Sequence, residues 1–280
     1  MTVMSIASPG MSCLLLLALA ASLPAQVPDY NGVWSTSPPL QRNPLLLFPA
    51  NHMRIVAQPP SISCSFGFDT GTAIAWSGAP LEGQLTGPTS ATLSLQTQPS
   101  QCVWIYALNI TFTAADRITG TLLATDLYSC FYQGTVTQPF TAQRTVLPMY
   151  ERFADGCPGS TTLAITAAAP PSLAAGFGVT IASLPVGVAF LATGFSNTTA
   201  GTTALPFDLT QLGMPGCRLN VALDHVEAVA GGTAATVSWT LPNAPSLLGT
   251  TFYQQAFVPD PGLNTLGARM SEAMVGVVGA

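Results

Sequence analysis

From Tyr30 to Val146, apolar side chains recur at every second position in short runs rich in Ile, Val, Thr, Tyr, Phe and Trp. Clusters of Gly, Pro, Asn and Asp separate the runs. A period of two is the signature of a strand, whose successive side chains point to opposite faces, whereas a helix needs a period near 3.6. No segment sustains the helical period for more than two turns, so the pattern predicts antiparallel sheet. Residues 102–113 and 117–124 read as one hairpin, with Ala114, Ala115 and Asp116 as its loop. Three runs share the form apolar-x-Gly-x-apolar: residues 81–85 around Gly83, 118–122 around Gly120 and 132–136 around Gly134. A glycine inside a strand has no side chain to pack. Its repetition predicts sharp bends where a sheet curls onto itself, as in a small barrel.

The second half is marked by missing charge. The chain holds only seven basic and twelve acidic residues in 280, and residues 156–207 hold none. A membrane-spanning reading fails there, because Pro170, Pro171, Pro185 and several glycines leave apolar pieces of under about ten residues. The aromatic girdles of an outer-membrane barrel are also missing. Short strands are expected at residues 161–167, 178–184, 186–195, 218–224, 233–241, 250–258 and 273–278, a spacing that suggests a β-sandwich. Between the halves, residues 147–156 (LPMYERFADG) combine Pro148 and Gly156 with Glu151, Arg152 and Asp155, and are expected to be the domain boundary. The expected fold class is all-β: a small antiparallel barrel or curled sheet over residues 26–147, then a β-sandwich over residues 152–280.

Residues 11–25 (MSCLLLLALAASLPA) form an apolar run of signal-peptide length, followed by the polar, turn-prone Gln26, Val27, Pro28 and Asp29. Cleavage is expected after Ala25, making residues 1–25 the signal peptide. Pro24 and Gln26 cut the run short of the ~20 apolar residues that a membrane anchor needs. Cys13 lies before the Leu run, where no lipoprotein anchor would sit. Export makes disulfides possible. Loss of Cys13 leaves Cys64, Cys102, Cys130, Cys157 and Cys217, an odd number. Cys157 and Cys217 are the expected pair, since both sit in turn sequences, Cys157-Pro158-Gly159 and Pro215-Gly216-Cys217. Cys102 with Cys130 is a second candidate pair. No C-x-x-C or His-x-His spacing marks a metal site.

The basic residues are all Arg and scattered from Arg42 to Arg269, too sparse to neutralise a run of phosphates, which excludes nucleic-acid binding. No cofactor motif is present. Neither His52 nor His225, the two histidines, has a recognisable catalytic neighbourhood in sequence. Asp224 and His225 are adjacent on an expected strand end, so their side chains face opposite ways and cannot form a relay. No G-x-S-x-G, H-E-x-x-H, Walker A or G-x-G-x-x-G motif occurs. Asp29, Asp116, Asp126, Asp155 and Asp260 fall in turns and read as solvated. Asp260 and Asn264 offer two oxygens to a cation but lack the spacing of a calcium loop. Trp76, Trp104, Tyr106, Tyr132, Trp239, Phe252 and Tyr253 have the chemistry to stack on sugars, although most aromatics serve the core. Asn109 and Asn197 each begin an N-x-T triplet.

Gly32-Val33-Trp34 at the first strand resembles the G-x-W motif of lipocalin and avidin-type barrels, and Arg144 falls near the last strand, where such barrels place an Arg across that Trp. The resemblance implies that Trp34 and Arg144 plug the closed end of a barrel. Residues 153–160 (FADGCPGS), 205–209 (LPFDL), 213–217 (GMPGC) and 247–249 (LLG), with Gln255-Ala256 ahead of Asp260 and Asn264, resemble an uncharacterised C-terminal module common in secreted planctomycete proteins. That likeness implies an extracellular location and a disulfide-stapled sandwich, and nothing about chemistry. The expected function is a non-enzymatic secreted or cell-surface protein for binding, adhesion or surface assembly, with a surface glycan or protein as partner. A small-ligand carrier is the alternative, and it requires a hollow barrel with a cavity of ~300 Å³ or more. A secreted hydrolase would require His52, His225 or a carboxylate pair converging in a cleft.

Overall fold

The computed structural model describes residues 29–40, 50–70, 74–76, 79–97, 103–126, 134–157 and 163–280. The expected signal peptide and the Cys102–Cys130 pairing lie outside the described residues. The first nine strands are β1 (Gly32–Leu40), β2 (Ala50–Gln58), β3 (Ser61–Asp69), β4 (Ile74–Trp76), β5 (Leu81–Gly87), β6 (Ser90–Thr97), β7 (Trp104–Ala114), β8 (Arg117–Asp126) and β9 (Gly134–Arg144). Eight of them pair antiparallel in the order β2-β1-β9-β8-β7-β6-β5-β3, and β3 returns to β2, so the sheet closes as a barrel. The short β4 extends along β3 beyond the point where β5 leaves it, with Gly67 opposite Trp76. The β7–β8 hairpin turns at Ala115 and Asp116, as expected.

Alternation along each strand sends one set of side chains inward. All eight barrel strands contribute to a single apolar cluster that includes Trp34, Met53, Ile55, Phe66, Leu81, Leu93, Leu108, Ile118 and Phe140. The interior is therefore a packed core. Two of the strand glycines are there because neighbouring atoms leave no space. A Cβ at Gly83 would lie 1.9 Å from the Thr92 carbonyl oxygen, and one at Gly120 would lie 2.7 Å from the Phe140 ring. Gly134 instead opens β9 rather than bending it.

Of the expected cysteines, Cys64 sits in this core, free and fully buried. Burial pushes its thiol from 9.0 up to about 12, against a smaller opposing pull from Arg54. Because the thiolate is the nucleophile and the side chain is fully buried, native Cys64 is expected to react with an alkylating reagent far more slowly than in the unfolded chain. Mass spectrometry of alkylated protein across a urea series checks this; rapid labelling of the native protein would contradict the packed interior.

The remaining strands are β10 (Met149–Ala154), β11 (Ile165–Ala167), β12 (Gly176–Ala182), β13 (Val188–Gly194), β14 (Thr199–Ala200), β15 (Thr203–Ala204), β16 (Phe207–Asp208), β17 (Arg218–Leu219), β18 (His225–Ala230), β19 (Ala234–Thr240), β20 (Thr251–Pro259) and β21 (Ala268–Val277). A five-stranded sheet runs β10-β21-β20-β13-β18 and a three-stranded sheet runs β11-β12-β19. Ile165, Phe177, Val179 and Ile181 of the smaller sheet meet Leu191, Val229, Ala256, Val258 and Met274 of the larger in one apolar cluster. No helix among the described residues is long and apolar enough to cross a membrane.

Three sequence expectations change here. Within residues 147–156, expected as the domain boundary, residues 149–154 form an edge strand, β10, paired with β21, and Glu151 turns toward Arg54 of the barrel. The strand expected at residues 218–224 shrinks to two residues because the Asn220 N–H donates to the buried Gln255 side chain, at 2.9 Å, rather than to a neighbouring strand. His225 to Ala230, not anticipated, forms β18 beside β13. The expected Cys157–Cys217 disulfide is present, 60 residues apart in sequence, and Cys217 lies buried with Leu209, Met214, Ala268 and Met270.

Barrel and C-terminal unit are joined by buried polar bonds. Asn31 Nδ2 donates to the Tyr253 hydroxyl at 3.1 Å while Asn31 Oδ1 accepts the Ala57 N–H at 2.7 Å. Asn197 Nδ2 donates to the Ala57 carbonyl at 3.0 Å, and Gln58 Nε2 to Asn220 Oδ1 at 2.9 Å. Val56 of β2 packs among Met149, Tyr253, Val275 and Val277. Buried hydrogen bonds at this density fix the mutual register of the two units, since each group left unpaired would cost about 1–3 kcal/mol.

Candidate functional site

Two surfaces of the barrel wall collect chemically useful side chains. The first is a groove of about 370 Å³ between the wall and β10. Gln58, Ser61, Ser63 and Glu82 form its barrel side, and Arg152, Phe153 and Asp155 its other side. Arg152 Nη1 donates to Asp155 Oδ1 at 2.9 Å and lies 3.9 Å from Glu272 Oε2. Phe153 is held edge-on against Tyr253, with ring centroids 5.4 Å apart.

The second surface is the outer face of β1 to β4. Strand pairing sets Ser35 opposite His52 and His52 opposite Gly67, with Val33 opposite Arg54 in the adjoining row. Ser35 Oγ lies 3.3 Å from His52 Nδ1, and His52 Nε2 lies 3.1 Å from Asp69 Oδ1. The Asn51 side chain donates to Asp69 Oδ2, and Asn51 Oδ1 accepts the Asp69 N–H at 3.3 Å. The His52 ring is largely shielded, at 13% exposure, whereas Asp69 is open at 54%. In the adjoining row the Arg54 guanidinium stacks 4.6 Å over the Trp76 ring and donates to Glu151 Oε1 at 2.5 Å. A hollow of about 220 Å³ borders that row, lined by Val33, Trp76, Met149, Ala168 and Pro170 among others.

Glu151 titrates opposite to an ordinary ion-paired carboxylate. Burial raises its pKa, and this outweighs the charge and hydrogen bond of Arg54, which lower it. The folded state therefore holds the proton more tightly than the unfolded chain. Glu151's contribution to stability is present at pH below the ordinary carboxylate range and is lost as pH rises through the raised folded value. Glu151→Gln is expected to flatten that segment of the stability–pH curve, measured by urea unfolding between about pH 4 and pH 7. An unchanged slope would contradict this balance of burial and charge.

His52, assigned no catalytic surroundings from sequence, is thus brought against both a serine and a carboxylate. His225 is not: it begins β18 on an exposed edge, and Asp224 instead accepts the Phe195 N–H at 2.8 Å. Trp34 and Arg144 are directly opposed on β1 and β9, which places them on one face. Trp34 is fully buried. The Arg144 guanidinium reaches the Asn31 carbonyl, Asp29 and Thr251, so this end of the barrel is tied to β20. Asp260 pairs with Arg269, and Asn264 bonds both backbone groups of Ala268, which leaves little of either side chain for a cation. Tyr106 and Tyr253 are core residues, Trp239 stacks on Phe177, and Phe252 meets Phe177 edge-on. Trp76 lies on the outer barrel face, against Arg54. The Asn197 amide is consumed in the unit interface; Asn109 is on the exposed face of β7.

Comparison with family models, with curated proteins and with solved structures finds no match for this chain.

Proposed function

We propose that this is an extracellular binding protein, exported through a cleaved signal peptide, whose barrel and C-terminal β-sandwich hold a polar ligand between them. A surface glycan is the ligand class that the groove chemistry favours. The observation that carries this reading is the groove of about 370 Å³ lined by Gln58, Ser61, Ser63, Glu82, Arg152 and Asp155. Its size lies within the ~300–1,000 Å³ of ligand clefts. Its carboxylate, amide, hydroxyl and guanidinium groups supply the mixed donors and acceptors that hydroxyl-rich ligands need. The joint behind the groove is a set of buried hydrogen bonds, which favours a preformed site over one assembled on binding. The carrier alternative is the less favoured reading, because Trp34, Phe66, Leu108 and their neighbours form one buried cluster inside the barrel.

A glycan array with the purified mature chain tests the proposal. Saturable retention of a glycan class is expected, falling at least tenfold in the double variant Glu82→Gln, Arg152→Ala, with unchanged melting temperature. Absence of retained glycan, or equal retention by the variant, would overturn it.

A further inference from the structure

The cluster Ser35–His52–Asp69 lies on the outer barrel wall, apart from the groove assigned to ligand binding, and stands independently of that assignment. We propose that it is a nucleophilic acyl-transfer site for small, uncharged ester substrates, with Ser35 as nucleophile, His52 as general base and Asp69 as the positioning carboxylate. The three side chains stand in the order that such chemistry requires: nucleophile within reach of base, and base within reach of an orienting group. The same constellation recurs on unrelated folds and is recognised by geometry. Here the two ring nitrogens exchange the roles they have in serine proteases. Nε2–H donates to Asp69, which leaves Nδ1 as the acceptor facing Ser35.

Several features of the wall support this assignment. Asn51 holds the second carboxylate oxygen and the backbone of Asp69, so the carboxylate is itself oriented. Gly67, opposite His52, has no side chain; a Cβ there would lie 2.7 Å from Ile74 and 2.8 Å from Trp76. That bareness lets β4 fold its side chains beside the imidazole. Immediately beyond Ser35 the β1–β2 register slips, with Leu40 next opposed to Ala50. Bulges of this kind are enriched beside active sites, where they re-aim side chains and end the ladder. Arg54, two residues from His52 on the same face, is held by Trp76 and Glu151 and so keeps the neighbouring row fixed. A hollow of about 220 Å³ begins one row away, lined by Val33, Arg54, Trp76, Glu151 and Ala168 among others, and has room for a short acyl or alkyl group.

In the first step Ser35 Oγ bonds to the ester carbonyl carbon, its proton passes to His52 Nδ1, and the carbon–oxygen bond to the alcohol breaks as His52 returns that proton to the leaving oxygen. Water then attacks the acyl-serine, giving one proton to His52. The serine oxygen leaves, takes the proton back, and a carboxylic acid is released.

The test uses the purified mature chain with p-nitrophenyl acetate and a fluorophosphonate probe. The wild type is expected to carry the phosphonyl group on Ser35, located by peptide mass mapping. Ser35→Ala should abolish the label and lower ester hydrolysis at least a hundredfold, the range typical of a lost nucleophile or base. Asp69→Asn should lower kcat at unchanged KM, as a positioning role requires. Melting curves confirm that the variants fold, and labelling of the wild type needs no variant at all. An unlabelled Ser35, or equal hydrolysis by wild type and Ser35→Ala, would overturn the assignment.

Discussion

Replacing Trp34 by alanine is expected to lower stability by about 3–5 kcal/mol, the range for deleting a large aromatic from a core that cannot collapse. Trp34 is fully buried and meets Phe112 edge-on, with ring centroids 5.9 Å apart, while Tyr30 stacks on the same Phe112 ring at 3.7 Å. It projects from β1, which is paired with β2 on one side and β9 on the other. A closed ring of strands has little freedom to move one strand inward, so the cavity persists. Since whole domains are stable by only about 5–15 kcal/mol, the variant should sit near its unfolding limit. The neighbouring Ser35→Ala change on the outer face should stay within about 0.5 kcal/mol. Urea unfolding followed by far-UV circular dichroism measures both; a Trp34→Ala loss under 1 kcal/mol would show that the interior is looser than its packing indicates.

Removing the Cys157–Cys217 bridge, as the double alanine variant, is expected to cost up to roughly 4 kcal/mol, from the entropy of closing a loop of 60 residues. The bridge ties the end of β10 to the region of β17, and the Cys157 N–H also donates to the Met270 carbonyl at 3.1 Å. The loss should therefore fall on the C-terminal unit. Cys64 reports separately on the barrel, because its thiol is hidden in the ring. In the double variant, the urea midpoint by circular dichroism should drop while Cys64 protection outlasts the first transition. A midpoint unchanged from wild type, or simultaneous exposure of Cys64, would exclude a bridge that acts mainly on the second unit.

Local features of the chain were legible because their causes are local. The β7–β8 hairpin follows from two alternating runs flanking Ala114 to Asp116, whereas the glycines at 83 and 120 are explained by close approach of Thr92 and Phe140. The disulfide was readable from paired turn sequences. The strand β10 was not legible within the boundary segment, because its charges and Pro148 give no alternation and the partner of Glu151, Arg54, is 97 residues away. β18 was missed because its edge position leaves most of its side chains exposed and weakens the alternation. The candidate site was invisible for a related reason. Ser35, His52 and Asp69 are each separated by 17 residues, with no motif around any of them.

The alternation of side chains, the positions of its interruptions and the scarcity of charge determined, without any coordinates, that this chain forms sheets stapled by Cys157 and Cys217. Tertiary structure alone decided that β3 returns to β2 to close the ring, that β10 lies against the barrel, and that a serine, a histidine and an aspartate meet on one outer face. The physical reason is that alternation is a property of consecutive residues, while register is settled between strands distant in sequence. A slip of one residue in the β1–β2 pairing would keep the same alternating pattern and yet turn one strand's entire set of side chains to the other face.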